Sequence, residues 1–256
     1  MAQQKSIKML AITDHDNADA YTHINSDDFK DLQLISGIEF STSWNKVGIH
    51  IVGLNFDLNS TPINEAINTH KLLRLERAKI ISKRLTKIGL INGFEKLAKN
   101  EINQIGRPNF ANLLVDEGIC TDIKQAFKKY LGAGKIGDVK NRWLSFNQII
   151  QTILKSGGIP VLAHPLVYKL TNSKLKRLIC DFKQSGGQAL EVINGYQNSD
   201  KTIYLQNLCK QYDLLSSIGS DFHRKNNWTQ LGCNTLMVSE NHNVWNNILR
   251  KCRISM

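Results

Sequence analysis

Six residues of metal-binding type fall at or near the ends of short apolar runs: His15, Glu39, His50, His164, Asp221 and His223. Imidazole nitrogen and carboxylate oxygen together suit manganese, zinc or iron and need no thiolate. A carboxylate can bridge two ions, and neighbouring ions can bind a phosphate, acidify water and stabilise a leaving oxygen. The array suits phosphoester hydrolysis by metal-activated water, so no side chain is assigned as a nucleophile. One histidine at a strand end is more often structural than a ligand, and His23, His70 and His242, outside this pattern, are read as structural. Asp14 has an alternative reading as a helix cap. Glu191, inside an apolar run, calls for a buried partner.

The elements that must position these groups alternate. Apolar runs at 7–13, 32–38, 48–54, 158–163, 188–192 and 214–219 carry strand character, and helical patterns cover 145–156, 173–184 and 199–212. Ser145 stands where an N-cap belongs. Strands alternating with helices predict an α/β architecture with a parallel sheet, and such barrels place their active sites at the C-terminal ends of strands. Residues 61–143 break the alternation with a long polar helix at 64–90 and shorter ones near 110–117 and 123–130. The expected domains are a hydrolase barrel at 1–60 and 144–256 and an inserted helical subdomain at 61–143.

Composition sets outer bounds. No apolar run approaches the ~20 residues that span a bilayer, and the N-terminus lacks a signal-peptide layout. With five scattered cysteines and no C-x-x-C spacing, reduced thiols and a cytoplasmic location are expected, with no membrane association and no obligate protein partner. Lys and Arg number 33 against 22 acidic residues, a net charge of +11. That excess fits either a dispersed, solvated basic surface, as at Lys174-Leu175-Lys176-Arg177, or a polyanion footprint.

Several motifs in order resemble a known family. Ile12-Thr13-Asp14-His15-Asp16, Gly37-Ile38-Glu39, His50-Ile51-Val52-Gly53, Ala163-His164-Pro165 and Gly219-Ser220-Asp221-Phe222-His223 resemble the successive motifs of the PHP (polymerase and histidinol phosphatase) superfamily. Arg74-Leu75-Glu76-Arg77, Gly106-Arg107-Pro108, Lys129-Tyr130-Leu131-Gly132 and Trp143 resemble the inserted region of its RNase AM group. The resemblance implies a distorted (β/α)7-type barrel with a helical insertion and up to three ions, usually manganese, with zinc or iron as alternatives. It implies a phosphatase acting on the 3'-phosphate of 3',5'-nucleoside bisphosphates, or a 5'-3' exoribonuclease trimming RNA, so that the partner is a nucleotide or short RNA substrate. It also implies ligand roles. His50 and His164 would bind one ion, bridged through Glu39 to a second that Asp221 helps to hold, and His15 and His223 would hold a third. Arg74 and Arg77, with Arg107, would bind substrate phosphate, for which arginine forks suit; a solvated helix face is the alternative for the first two.

The chain departs from that pattern twice. Family members open with a strand ending in His-x-His, then a serine and an aspartate, on the order of 30 residues before the Thr-Asp-His-Asp motif; no His-x-His occurs here. The expectation is therefore a barrel incomplete at the N-terminus, explained most simply by a truncated or misassigned reading frame starting at an internal methionine, next by a degenerate gene, and third by a true shortened family member with a new activity. Glu39, His50 and His164 would form the one complete site, with an unpaired strand edge, marginal stability and little turnover. Asn109 stands where relatives carry histidine, which removes an acid or phosphate-clamping role there. The rival functions are another PHP phosphatase, of the histidinol-phosphate type, and a catalytically inactive RNA-binding module.

Overall fold

The computed structural model describes residues 1–24, 29, 31–99, 105–140, 143–223, 230–238 and 242–254, the side chains of 251–254 excepted. Two compact units emerge, Met1–Ile67 with Leu144–Met256, and Asn68–Trp143.

The first unit is built on strands. β1 (Met9–Ala11) pairs in parallel with β2 (Gln33–Ile35). A five-stranded sheet runs in the order β3 (Gly37–Trp44), β4 (Val47–Leu54), β5 (Ile159–Leu162), β6 (Ala189–Asn194) and β7 (Leu215–Gly219). The expected parallel sheet is only half realised: β3–β4 and β4–β5 are antiparallel, and β5–β6 and β6–β7 are parallel. The reason is local. Two residues, Asn45 and Lys46, join β3 to β4 with φ of 47° and 68°. Two successive left-handed residues make the tight hairpin turn whose twist matches the flanking strands, whereas a parallel connection needs a crossover of a dozen or more residues.

Those crossovers exist later in the chain. α6 (Asn172–Gln184) links β5 to β6, and α7 (Ser199–Tyr212) links β6 to β7. α5 (Phe146–Lys155) precedes β5 and starts at a capping box: Ser145 Oγ accepts from the Gln148 N–H, and Gln148 accepts from the Ser145 N–H. Its buried residues Phe146, Ile149, Ile150 and Ile153 recur at one-face helical spacing. They pack with Ile38, Phe40, Ile49 and Ile51 of the hairpin and with Leu178 and Phe182 of α6. Val244 and Ile248 of α8 (Val244–Ile254) join Ile35, Leu54, Ile159 and Val161 in another cluster. All four residues of β5 are buried, as expected for a strand covered on both faces.

α1 (Thr61–Leu85) begins in the first unit and continues in the second. It ends before residue 90, because a 3-10 turn at Thr86–Ile88 closes on Gly89 at φ 93°. In the second unit, Ala78, Ile81 and Leu85 pack against Phe110, Ala111 and Leu114 of α3 (Arg107–Asp116). α2 (Gly93–Ala98) and α4 (Ile123–Ala126) complete this unit, with Asp122 capping α4 before a π-helical turn at Phe127–Leu131.

One glycine joins the β1 segment to the main sheet. A side-chain carbon at Gly37 would lie 2.8 Å from the Ile12 carbonyl oxygen and 2.9 Å from side-chain carbons of Ala11 and Thr13. Gly37→Ala is expected to destabilise the protein by about 1–3 kcal/mol through overpacking, measurable as a lower midpoint in urea.

Candidate functional site

The segment after β1 reaches β3 through a backbone bridge. The Glu39 N–H donates to the Asp14 carbonyl at 3.1 Å, and the Asp16 N–H donates to the Glu39 carbonyl at 2.9 Å. Asp16, buried at φ 54°, locks this junction by accepting the Ser41 N–H at 2.6 Å. Asp14 therefore serves through its carbonyl. The 3-10 turn that follows, Asp19–Thr22, has Ala18 at its N-cap and no side-chain cap. Tyr21 closes the same junction, its hydroxyl accepting the Ile12 N–H at 2.7 Å and lying 2.9 and 2.8 Å from the Ile12 and Ile35 carbonyls. Burial pushes that phenol up to about 12.

The bridge places His15 beside Glu39. His15 Nδ1 lies 3.3 Å from Glu39 Oε2. The other carboxylate oxygen, Oε1, lies 3.0 Å from His50 Nδ1 and 3.0 Å from His164 Nε2, and those two nitrogens are 3.2 Å apart. Three strand segments thus deliver three imidazoles to one buried carboxylate. Burial would push the Glu39 carboxyl upward, but hydrogen bonds from His164 and His50 and the charges of His50 and His15 hold it well below the usual carboxylate range. It stays ionised.

Asp221 and His223 stand together at the end of β7. His223 Nδ1 is 2.9 Å from the Asp221 carbonyl and 3.4 Å from its carboxylate. The His223 ring centroid lies 6.5 Å from that of His15. All six sequence-derived positions therefore gather at one end of the sheet, four in direct contact and two more exposed. His164 and Asp221 adopt φ of 29° and 48°, left-handed conformations that non-glycine residues hold mainly where function or tertiary contacts demand it.

Two residues behind this cluster hold it. The Tyr168 hydroxyl accepts the His50 N–H at 3.0 Å and donates to the Ala163 carbonyl at 2.7 Å, and its ring meets His164 edge-on at 5.3 Å. Glu191 accepts the His164 backbone N–H at 2.6 Å. Burial pushes the Glu191 carboxyl up to about 7, against that hydrogen bond. The missing side chain at Gly219 leaves the space that Glu191 Oε1 fills. Glu191 was legible as a residue needing a buried partner. Tyr168 was not read from sequence, although its position four residues after His164, in a turn closed by the Val167 N–H on the His164 carbonyl, was the available signal.

The donor set fits a divalent ion. His15, Glu39 and His50 offer ligand atoms within 4.8 Å of one another, and His164 adds a fourth. Donor atoms sharing one ion at roughly 2.0–2.2 Å stand about 3 Å apart, the spacing found among Glu39, His50 and His164. Among the described residues the buried His164 Nδ1 has no hydrogen-bond partner, and Nε2 of that ring faces Glu39.

The helical unit carries the arginines. Arg74 and Arg77 lie over the Trp143 ring at 5.2 and 6.0 Å, and the buried His70 stacks on the same ring at 5.3 Å. Arg107, the first residue of α3, donates to the Leu131 carbonyl at 3.2 Å and stands 3.9 Å from Asp138. Burial and the positive charges of Arg107 and Arg74 bring Arg77 down to about 10, so the three guanidinium groups feel one another. Asn109 has a structural task, accepting the Gly106 N–H at 2.9 Å at the start of α3.

No protein-family model matches the chain. It is 36% identical to a 5'-3' exoribonuclease of Haemophilus influenzae, over 95% of this chain and 89% of that protein. It is 32% identical to a 3',5'-nucleoside bisphosphate phosphatase of Chromobacterium violaceum, over 87% of this chain and 79% of that one. A solved amidohydrolase from Chromobacterium violaceum, holding sulfate and no metal, superposes with a TM-score of 0.83 at 29% identity, covering 97% of this chain and 88% of that one. A Bifidobacterium adolescentis protein assigned as a metal-dependent phosphoesterase gives 0.73 at 25% identity, covering 91% and 83%.

Tyr168→Phe leaves the His50 N–H and the Ala163 carbonyl without their shared partner and is expected to cost about 1–3 kcal/mol, read as a lower thermal midpoint. An unchanged midpoint would show that the hydroxyl does not brace these two strands. On motif order, fold and identity over nearly its whole length, the chain belongs to the PHP superfamily, among the phosphoric-ester hydrolases that include these exoribonucleases and bisphosphate phosphatases.

Proposed function

We propose that the protein is a divalent-metal-dependent phosphoesterase that removes the 3'-phosphate of 3',5'-nucleoside bisphosphates and trims RNA from its 5' end. The observation that carries this reading is the convergence of His50 and His164 on one oxygen of a buried, ionised Glu39 whose other oxygen faces His15. Three backbone segments and a costly buried charge are arranged around a point, which a purely structural carboxylate does not require.

In this reading His50, His164 and Glu39 hold one ion. Glu39 Oε2, Asp221, His15 and His223 serve any further ions. Manganese is the assigned metal, with zinc or iron compatible with the same donors. A bound divalent ion supplies Lewis-acid polarisation of a phosphoryl oxygen and lowers the pKa of water. Glu39 keeps its charge because imidazoles surround it, and Tyr168 and Glu191 fix the backbones of His50 and His164, so the donors are preorganised. Arg74, Arg77 and Arg107 are assigned to substrate phosphate, where paired N–H donors match phosphate oxygens. The sulfate held by the structurally similar amidohydrolase is consistent with an anion site in this fold. The free thiols of Cys120, Cys180, Cys209 and Cys233 fit a reducing, cytoplasmic setting.

The test is a single-turnover assay with protein in excess over a 3',5'-bisphosphonucleotide and over a 5'-phosphorylated RNA, with manganese added. Inorganic phosphate and mononucleotide are the expected products, and chelation by EDTA should stop their release. Glu39→Gln should lower the rate by more than the roughly 100-fold that loss of an outer-shell partner typically costs. Hydrolysis indifferent to both EDTA and Glu39→Gln would overturn the reading, and RNA binding without hydrolysis would favour a binding module instead.

A further inference from the structure

The net charge of +11 is not spread over the chain. Of the 33 Lys and Arg residues, sixteen lie in the helical unit Asn68–Trp143, which holds only seven of the 22 acidic residues. The rest of the chain has seventeen basic and fifteen acidic residues, close to balance. The dispersed basic surface that the sequence allowed is thus a basic unit attached to a nearly neutral one.

Within that unit α1 carries two basic rows. Arg74, Arg77 and Arg84 are engaged within the unit, with Arg84 itself exposed. Arg77 donates to the Val139 carbonyl, Arg84 donates to those of Ile136 and Asp138, and Arg74 and Arg77 cover Trp143. Lys71, Lys79, Lys83 and Lys87 are exposed and recur in steps of four or eight along the helix and the turn after it. Four residues of helix advance about 6 Å, comparable with the distance between successive phosphates of an extended strand. Like charges at this spacing weaken a helix, and among the described residues the one ring contact of these lysines is Lys79 over Phe94. Such a row gains its stability when a polyanion neutralises it.

We infer that the helical unit is a binding surface for the backbone of single-stranded RNA, with the exposed Lys71, Lys79, Lys83 and Lys87 row as its track, so that RNA several nucleotides long is held more tightly than a mononucleotide. This rests on the nucleotide-directed reading above and extends it from the scissile phosphate to the length of the substrate.

Binding of a fluorescent twelve-nucleotide RNA and of a 3',5'-bisphosphonucleotide is measured against salt in EDTA, which prevents cleavage. Three proteins are compared: the wild type, the Lys71→Glu/Lys83→Glu/Lys87→Glu triple variant, and a Lys155→Glu/Lys174→Glu/Lys201→Glu triple variant with the same charge change on exposed lysines of the other unit. Circular dichroism checks that each is folded. The α1 triple variant should bind RNA at least tenfold more weakly, lower the magnitude of its log–log salt slope by about 2, and bind the mononucleotide within twofold of wild type. The control triple variant should keep most of the RNA affinity. Equal RNA affinity in wild type and α1 variant, or an equal loss in the control, overturns the inference. Manganese-dependent hydrolysis is scored separately: its absence with the α1 effect intact removes the phosphoesterase reading and leaves the RNA track standing, and its presence without the α1 effect does the reverse.

Discussion

A buried carboxylate that stays ionised is the constraint around which the strand unit is arranged. Glu39 is 7% exposed, and desolvation alone would drive its proton back on. Three imidazoles prevent this, each from a different part of the chain: His15 after β1, His50 on β4 and His164 after β5. Removing one partner from a buried charged cluster typically costs several kcal/mol. The cluster therefore links the hairpin, the β5 turn and the β1 segment at one carboxylate, with its donor atoms directed at one point.

The backbone around the cluster is specified just as tightly. Gly37 permits the β1 segment to lie against β3, and Asp16 and Tyr21 satisfy the backbone groups at that junction. Left-handed His164 and Asp221 turn the chain sharply where β5 and β7 end. For His164 the turn is held by Glu191 on its N–H and by Tyr168 on the preceding carbonyl. Strain and fixation occur at the same residues, the pattern of a preorganised site.

Much of this was readable in the sequence because it is written in local patterns. Ser145 and Gln148 announce the start of α5, and Phe146, Ile149, Ile150 and Ile153 mark its buried face. The six metal-type residues could be found because each closes or lies in an apolar run. The antiparallel hairpin was missed because its turn is Asn45-Lys46, without the glycine that usually signals two left-handed residues. Tyr168, Asp16 and Tyr21 act on backbone groups across the fold, and such partnerships have no sequence period. The partition of charge needs no structure, since the inserted region expected at 61–143 already holds sixteen of the 33 basic residues.

The central claim is that Glu39, His50 and His164 hold a divalent ion together. Manganese binding followed by electron paramagnetic resonance, as loss of the free-ion signal on titration, tests it without reference to turnover. The account predicts saturable binding by the wild type, and at least about a tenfold weaker affinity in both His50→Ala and His164→Ala while each remains folded. Manganese affinity unchanged in both variants would contradict it.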